Sequence, residues 1–139
     1  MKIFWDTNLF IYLWEKKSFV TEMQALSRFI EEGSHTLTTS TLTLGEILVH
    51  PSRHGHPELL TQYREAMQRL ALIPLDVEAT VLFARLRADH SALRPADAIQ
   101  ISCAIVAQCD LFITNDERLS GLAIPSPLII RSLREWEKH

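Results

Sequence analysis

The chain has 139 residues, 47% of them hydrophobic and 22% charged, which suits one globular domain over residues 1–139 with a core of its own. That profile argues against long disorder, collagen-like repeats and a disulfide scaffold. Against 14 Lys and Arg stand 17 Asp and Glu, a formal charge of −3, whereas a chain gripping nucleic acid on a broad cationic face is expected to be basic.

Lys2 to Trp5 is a short, apolar, β-prone run that ends at the polar Asp6-Thr7-Asn8. Leu9, Phe10, Leu13 and Trp14 then recur at helical spacing, closed by Lys16-Lys17. A second helix fits Phe19 to Glu32, stopped by Gly33. His35 to Thr39 is a strand candidate, Thr41 to His50 reads as a helix weakened by Thr and Gly, and Pro51 to Pro57 as a loop. Glu58 to Leu70 continues as helix, Leu72 to Leu75 as strand, and Asp76 to His90 as helix. Pro95 opens an almost wholly apolar helix reaching about Gln108, because proline is well tolerated at a first helical position. Asp110 to Thr114 and Leu128 to Ile130 read as strands, and Ser132 to Lys138 as a terminal helix.

Cys103 and Cys109, read as lying on one helix, would stand about 9 Å apart, beyond disulfide reach. Two lone thiols fit a reducing compartment. The N-terminus reaches Asp6 before a signal-peptide core forms, and no apolar stretch is long enough to span a membrane. The expectation is a soluble, cytoplasmic protein. Short apolar strands alternating with helices imply a parallel sheet covered on both faces, an α/β fold. Ligands of such folds bind beyond the carboxyl ends of the strands.

Four acids answer that rule. Asp6 follows the first strand, Asp116 the strand ending at Thr114, and Asp97 sits in the first turn of the Pro95 helix. Glu46 stands in the apolar run Leu44-Gly45-Glu46-Ile47-Leu48-Val49, where at least partial burial is expected, and with no Lys or Arg within a helical turn its partner must come from elsewhere in the chain. Each acid also has a plain structural reading: Asp6 and Asp116 as N-caps, with Asn115 beside them, and Asp97 as a carboxylate at a positive helix end. Together, clustered carboxylates must protonate or bind cations. Oxygen-only ligands suit Mg²⁺ or Mn²⁺ over zinc, and such an ion leaves positions open for a phosphate. The chemistry points to metal-dependent hydrolysis of a phosphate ester. Two bound divalent ions would bring the net charge close to zero, so the missing basic excess speaks to the mode of binding and leaves nucleic acid open as partner.

The order Asp6-Thr7-Asn8, Ser40 with Glu46 six positions later, Pro95-Ala96-Asp97 and Thr114-Asn115-Asp116 resembles a PIN-domain ribonuclease, specifically a VapC-type toxin of a toxin–antitoxin pair. The resemblance spans nearly the whole chain. It implies a three-layer α/β/α fold with a central parallel sheet of four to five strands. It implies an endoribonuclease that cleaves single-stranded or loop RNA to a 5′-phosphate and a 3′-hydroxyl, with Asp6, Glu46 and Asp97 holding Mg²⁺ or Mn²⁺ and Asp116 binding directly, through water or at a second ion. Asn8, Ser40, Thr114 and Asn115 would support the acids. A homodimer and a small VapB-like antitoxin are implied as partners, with no membrane.

Arg85, Arg87 and Arg94 precede the Asp97 helix as candidate phosphate contacts, or as a solvated face. His50, His54 and His56 match no standard zinc spacing and read as a loop. A haloacid-dehalogenase-type phosphatase would want an aspartate where Asn8 stands, and a response-regulator receiver an early acidic pair and a late lysine. Two alternatives stay open: a PIN fold that has lost catalysis and serves as an RNA- or protein-binding module, and a PIN-like nuclease outside toxin–antitoxin systems.

Overall fold

The structure is a computed structural model and describes residues 1–138, apart from the side chains of Lys16 and Lys138. Five strands, β1 (Lys2–Trp5), β2 (Thr36–Ser40), β3 (Ala71–Ile73), β4 (Leu111–Thr114) and β5 (Ile129–Ser132), pair in the order β3-β2-β1-β4-β5. Every pairing is parallel, with Ile3 opposite Leu37 on one side and Leu111 on the other. A strand turns alternate side chains to opposite faces, and the two central strands use both. Ile3, Trp5, Leu111 and Ile113 pack into one core, while Phe4 and Phe112 stack with ring centroids 5.1 Å apart in the other.

The first core is covered by α1 (Thr7–Ile11), α2 (Val20–Glu32), α3 (Thr41–Arg53) and α4 (Pro57–Gln68), through Leu9, Phe10, Leu26, Ile47 and Met67. The second is covered by α5 (Val77–Asp89) and α6 (Pro95–Val106), through Leu86, Ala98, Ile101 and Ala104. The result is a three-layer α/β/α sandwich. The chain builds outward from β1 to β2 and β3, then crosses back through α5 and α6 to lay β4 on the far side of β1. The strand order reverses between β1 and β4, and ligand crevices of open α/β sheets lie at that point.

Several local expectations need correction. Pro51 is not in a loop: α3 runs on through it to Arg53. Thr43, Ile47 and Pro51 recur every fourth residue and form the buried stripe of the helix, so packing outweighs the hydrogen bond that proline forgoes. The end of the first helix widens into a π-type turn over Tyr12–Lys16, and Lys17 closes it in the left-handed region with φ 52°. Gly33 ends α2 at φ −96°, so it is not the left-handed cap expected of a terminal glycine. A Cβ there would collide with the ring of His35, which stacks on Phe29.

Cys109 lies beyond the end of α6, after Gln108 turns left-handed at φ 57°. Both thiols are free and buried, and burial pushes Cys103 up to about 11 and Cys109 to about 12, so neither is a ready nucleophile. The terminal helix shrinks to a 3₁₀ turn over Trp136–Lys138, with Leu133 and Trp136 packed on the first core. Among the described residues, no helix is long and apolar enough to cross a membrane.

Candidate active site

Asp6 is the first residue beyond β1, and the sheet places it at the reversal of strand order. Its backbone N–H donates to the Ile113 carbonyl of β4 at 3.0 Å, which extends the β1–β4 ladder by one rung and fixes where the side chain emerges. The residue is only 8% exposed. Its Oδ1 accepts from the Thr7 N–H at 2.9 Å, capping α1, and its Oδ2 accepts from the Thr114 hydroxyl at 2.8 Å. The capping and the site readings of this aspartate are therefore compatible, since one carboxylate has room for both.

Asp6, Glu46, Asp97 and Asp116 all line one cleft of about 280 Å³, together with Thr7, Asn8, Arg94 and Gln100. Four chain segments meet there: the start of α1, the middle of α3, the first turn of α6 and the turn after β4. Glu46 corrects an expectation. It is exposed, because the buried stripe of α3 passes through Thr43 and Ile47 and leaves Glu46 and Val49 on the open side. Its Oε1 accepts from the Thr7 hydroxyl at 2.7 Å, a neutral partner from another helix.

Thr114 is fully buried and ties the turn after β4 to Asp6. Its hydroxyl oxygen also accepts from the Asp116 N–H at 3.1 Å and from Asn8 Nδ2 at 3.4 Å. Asn8 Oδ1 in turn accepts from the Asn115 N–H at 3.3 Å, and the Asn115 amide donates to the Tyr12 hydroxyl at 2.7 Å. Ser40 caps α3 by accepting from the Thr43 N–H, and its own hydroxyl donates to Gln100.

Gln100 went unnoticed in the sequence. It is 1% exposed, one turn beyond Asp97 on α6, and its amide nitrogen reaches Thr43 at 2.7 Å, Thr7 at 3.2 Å and Asp6 at 3.3 Å. The available signal was an amide in a helix that, beyond Asp97, is otherwise built from Ala, Ile, Val, Cys and one Ser. Thr7, Thr43 and Arg118 were missed as well.

Two cations face the acids. Arg94 bridges Asp97 at 3.4 Å and Asp116 at 3.2 Å, and Arg118 grips Asp116 through Nε at 2.9 Å. Both arginines are 63% exposed, while the Asp97 and Asp116 side chains are 17% and 18% exposed, so the pairs sit at the rim of the cleft. Burial raises the Asp6 carboxyl above its ordinary range against the pull of the Thr114, Thr7 and Gln100 hydrogen bonds, and the Glu46 charge adds to the rise. Burial likewise raises Asp97, the charges of Asp6 and Asp116 add to it, and Arg94 opposes it. The cleft holds more negative charge than its arginines neutralise. Among the described residues, no group of three or more acids, histidines or cysteines is placed to hold a metal ion. An open set of carboxylate oxygens fits a hard cation that keeps most of its water, and does not fit zinc.

The remaining sequence candidates divide. Arg94 lines the cleft, Arg87 spends its guanidinium on the Leu93 carbonyl at 2.6 Å, and Arg85 is an exposed residue of α5 outside the cleft lining. His50 and His54 touch each other with ring centroids 4.6 Å apart, and His56 caps α4 by accepting from the Leu59 N–H. They stay on the far half of α3 and its following turn, away from the acids.

In comparisons with known proteins, the fold matches toxin–antitoxin structures. One is VapBC2 from Rickettsia felis bound to a promoter DNA fragment (TM-score 0.74, 20% identity, 95% of this chain and 98% of that one). Another is DNA-bound VapBC from Salmonella typhimurium (0.68, 21%, 96% and 98%). A third is VapBC-5 from Mycobacterium tuberculosis (0.63, 18%, 94% and 98%). At these identities the likeness concerns the fold. No curated protein matches the chain. The family model of the PIN domain matches residues 3–125, from β1 through the cleft and past Asp116, and the chain belongs to the PIN-domain family.

Proposed function

We propose that this protein is a metal-dependent endoribonuclease and the toxin of a type II toxin–antitoxin pair. The observation that carries the reading is the convergence of Asp6, Glu46, Asp97 and Asp116 from four separate segments on one cleft at the reversal of strand order. Asp6, Glu46 and Asp97 would hold Mg²⁺ or Mn²⁺, with Asp116 binding directly or through water. When bound, such an ion supplies Lewis acidity and lowers the pKa of a coordinated water.

The chain's own residues do the rest. Thr114, Thr7 and Gln100 hold the Asp6 carboxylate as an acceptor, so that its charge faces the cleft without searching among rotamers. Arg94 and Arg118, exposed and anchored only at the rim, can turn from Asp116 towards a phosphodiester and place it over the acids. Hydrolysis breaks the bond between phosphorus and the 3′ oxygen, and the water's hydroxide adds to phosphorus, leaving a 5′-phosphate and a 3′-hydroxyl. A cytoplasmic setting, a homodimer and a small antitoxin that occupies the cleft belong to the same reading, which is supported by the similarity in fold to VapBC proteins.

The test is incubation of the purified chain with single-stranded and structured RNA in Mn²⁺, in EDTA and as Asp6→Asn. Cleavage in Mn²⁺, none in EDTA and a loss of about 10³-fold or more in the variant are expected. A variant that cleaves as fast as the wild type sinks the mechanism. RNA binding without cleavage in any condition replaces it with a silent binding module.

A further inference from the structure

We infer that Gln100 is a positioning residue whose side-chain amide aims hydrogen-bond donors at two acids of the cleft at once, directly at Asp6 and through Thr43 and Thr7 at Glu46. The inference deepens the metal-site reading above and rests on it for the role of those acids.

The direction of the network follows from which groups can only accept. A carboxylate has no proton to give, so the Thr7 hydroxyl, 2.7 Å from Glu46 Oε1, must donate to it. Thr7 then has no proton left for Thr43, 3.0 Å away, and Thr43 accepts from the Thr39 hydroxyl at 2.8 Å, so its own proton goes to Thr7. With its proton spent, Thr43 accepts from Gln100 Nε2 at 2.7 Å. The second hydrogen of that nitrogen is left for Asp6 Oδ1 at 3.3 Å, beside the Thr7 oxygen at 3.2 Å.

Ser40 fixes which way the amide lies, because its hydroxyl donates to Gln100 Oε1. A flipped amide would set oxygen against the Asp6 carboxylate and leave Ser40 facing a donor. The residue is 1% exposed and Thr43 is fully buried, so the bond between them is shielded from water. One amide on α6 thereby links the ends of β1 and β2 and the first turns of α1 and α3, the segments that carry Asp6 and Glu46.

Groups that orient metal-binding side chains typically change metal affinity or activity 10- to 100-fold when removed. The experiment is Mn²⁺ titration of the full chain by calorimetry, with Gln100→Met, Thr43→Val and Ser102→Ala compared with the wild type, and thermal midpoints recorded for each. Ser102 is the control: it is buried on the same helix, but its hydroxyl donates to the Ala98 carbonyl at 2.7 Å and to nothing in the cleft. Gln100→Met should lose about 10-fold or more in Mn²⁺ affinity, Thr43→Val a smaller factor through the Glu46 branch alone, and Ser102→Ala none despite a lower midpoint. Wild-type affinity in a folded Gln100→Met, or an equal loss in Ser102→Ala, overturns the role. If Gln100→Met does not fold, Thr43→Val decides by the same criterion.

Failure of the metal reading looks different, because the wild type would then bind no Mn²⁺. The network is in that case read from the Gln100 side-chain amide resonances of the metal-free chain. Two hydrogens protected from exchange, one of them released in Thr43→Val, support the arrangement, and two hydrogens exchanging at the solvent rate refute it.

Discussion

At the amino end of β1, Lys2 donates Nζ to the Ala107 carbonyl at 2.8 Å and its N–H to Asp110 at 2.7 Å, while the chain's amino group lies 2.9 Å from His35. A cation at the carboxyl end of α6 and a carboxylate on a backbone donor are each matched within the chain. At the other end of the same strand, Asp6, Glu46, Asp97 and Asp116 face two arginines that reach only Asp97 and Asp116. Both ends are polar and both are built by loops leaving the central strands. The polar groups at the amino end are satisfied by hydrogen bonds within the chain, whereas the carboxyl end keeps a surplus of negative charge.

If that contrast is right, damage at the two ends must be felt in different measurements. With all four acids left in place, a large effect is expected at Thr114, whose hydroxyl joins Asp6, Asn8 and Asp116. Thr114→Val keeps the shape of a fully buried side chain and removes that junction. RNA cleavage at saturating Mn²⁺ should fall about 10- to 100-fold with the fold retained by circular dichroism. Undiminished cleavage would place Thr114 with the structural residues of the amino end. There, Lys2→Met keeps the aliphatic stem and loses the cap on α6. Its thermal midpoint should drop by roughly 2–4 °C and its cleavage rate should not change. A cleavage defect without a stability defect would erase the distinction.

The same contrast explains what the sequence disclosed. Asp6 and Asp116 were legible because each ends a run of apolar residues with a polar turn, and Asp97 because Pro95 marks a helix start. Strand ends and helix starts are local signals, and in a parallel sheet they are also where ligands bind. Glu46 was found by type but misjudged in setting. Its apolar neighbours suggested burial, yet the face that a helix hides is chosen by its partner elements, and α3 hides Thr43, Ile47 and Pro51.

The same long-range choice drew Pro51 into the helix. The three histidines, a denser cluster in the sequence than any group of acids, lie at the end of α3 and the start of α4, outside the cleft that the acids line. The role of Gln100 was out of reach for the opposite reason. Its four partners come from residues 6, 7, 40 and 43, more than fifty positions away, and no spacing rule reaches that far.

The smallest effect concerns stability at the carboxyl end itself, where the surplus should make the metal-free fold weaker than it need be. Asp6 and Asp97 hold protons more tightly in the folded chain than at the ordinary value of 3.8. Between that value and the raised ones, the folded chain binds more protons than the unfolded chain. Its stability from these two groups is therefore highest below 3.8, falls as pH rises through the window, and stays reduced at neutral pH. Asp97→Asn removes one of the two charges and keeps an acceptor for Arg94. Thermal melts in EDTA across pH 4 to 7.5 should show the variant roughly 1–3 °C more stable than the wild type at pH 7, with the gap closing towards pH 4. Mn²⁺ should raise the wild-type midpoint at pH 7 and raise that of the variant less, since a cation relieves the repulsion that the substitution has already removed. A variant less stable than the wild type at pH 7 would mean that Arg94 already balances Asp97, and the carboxyl end would then be matched within the chain like the amino end.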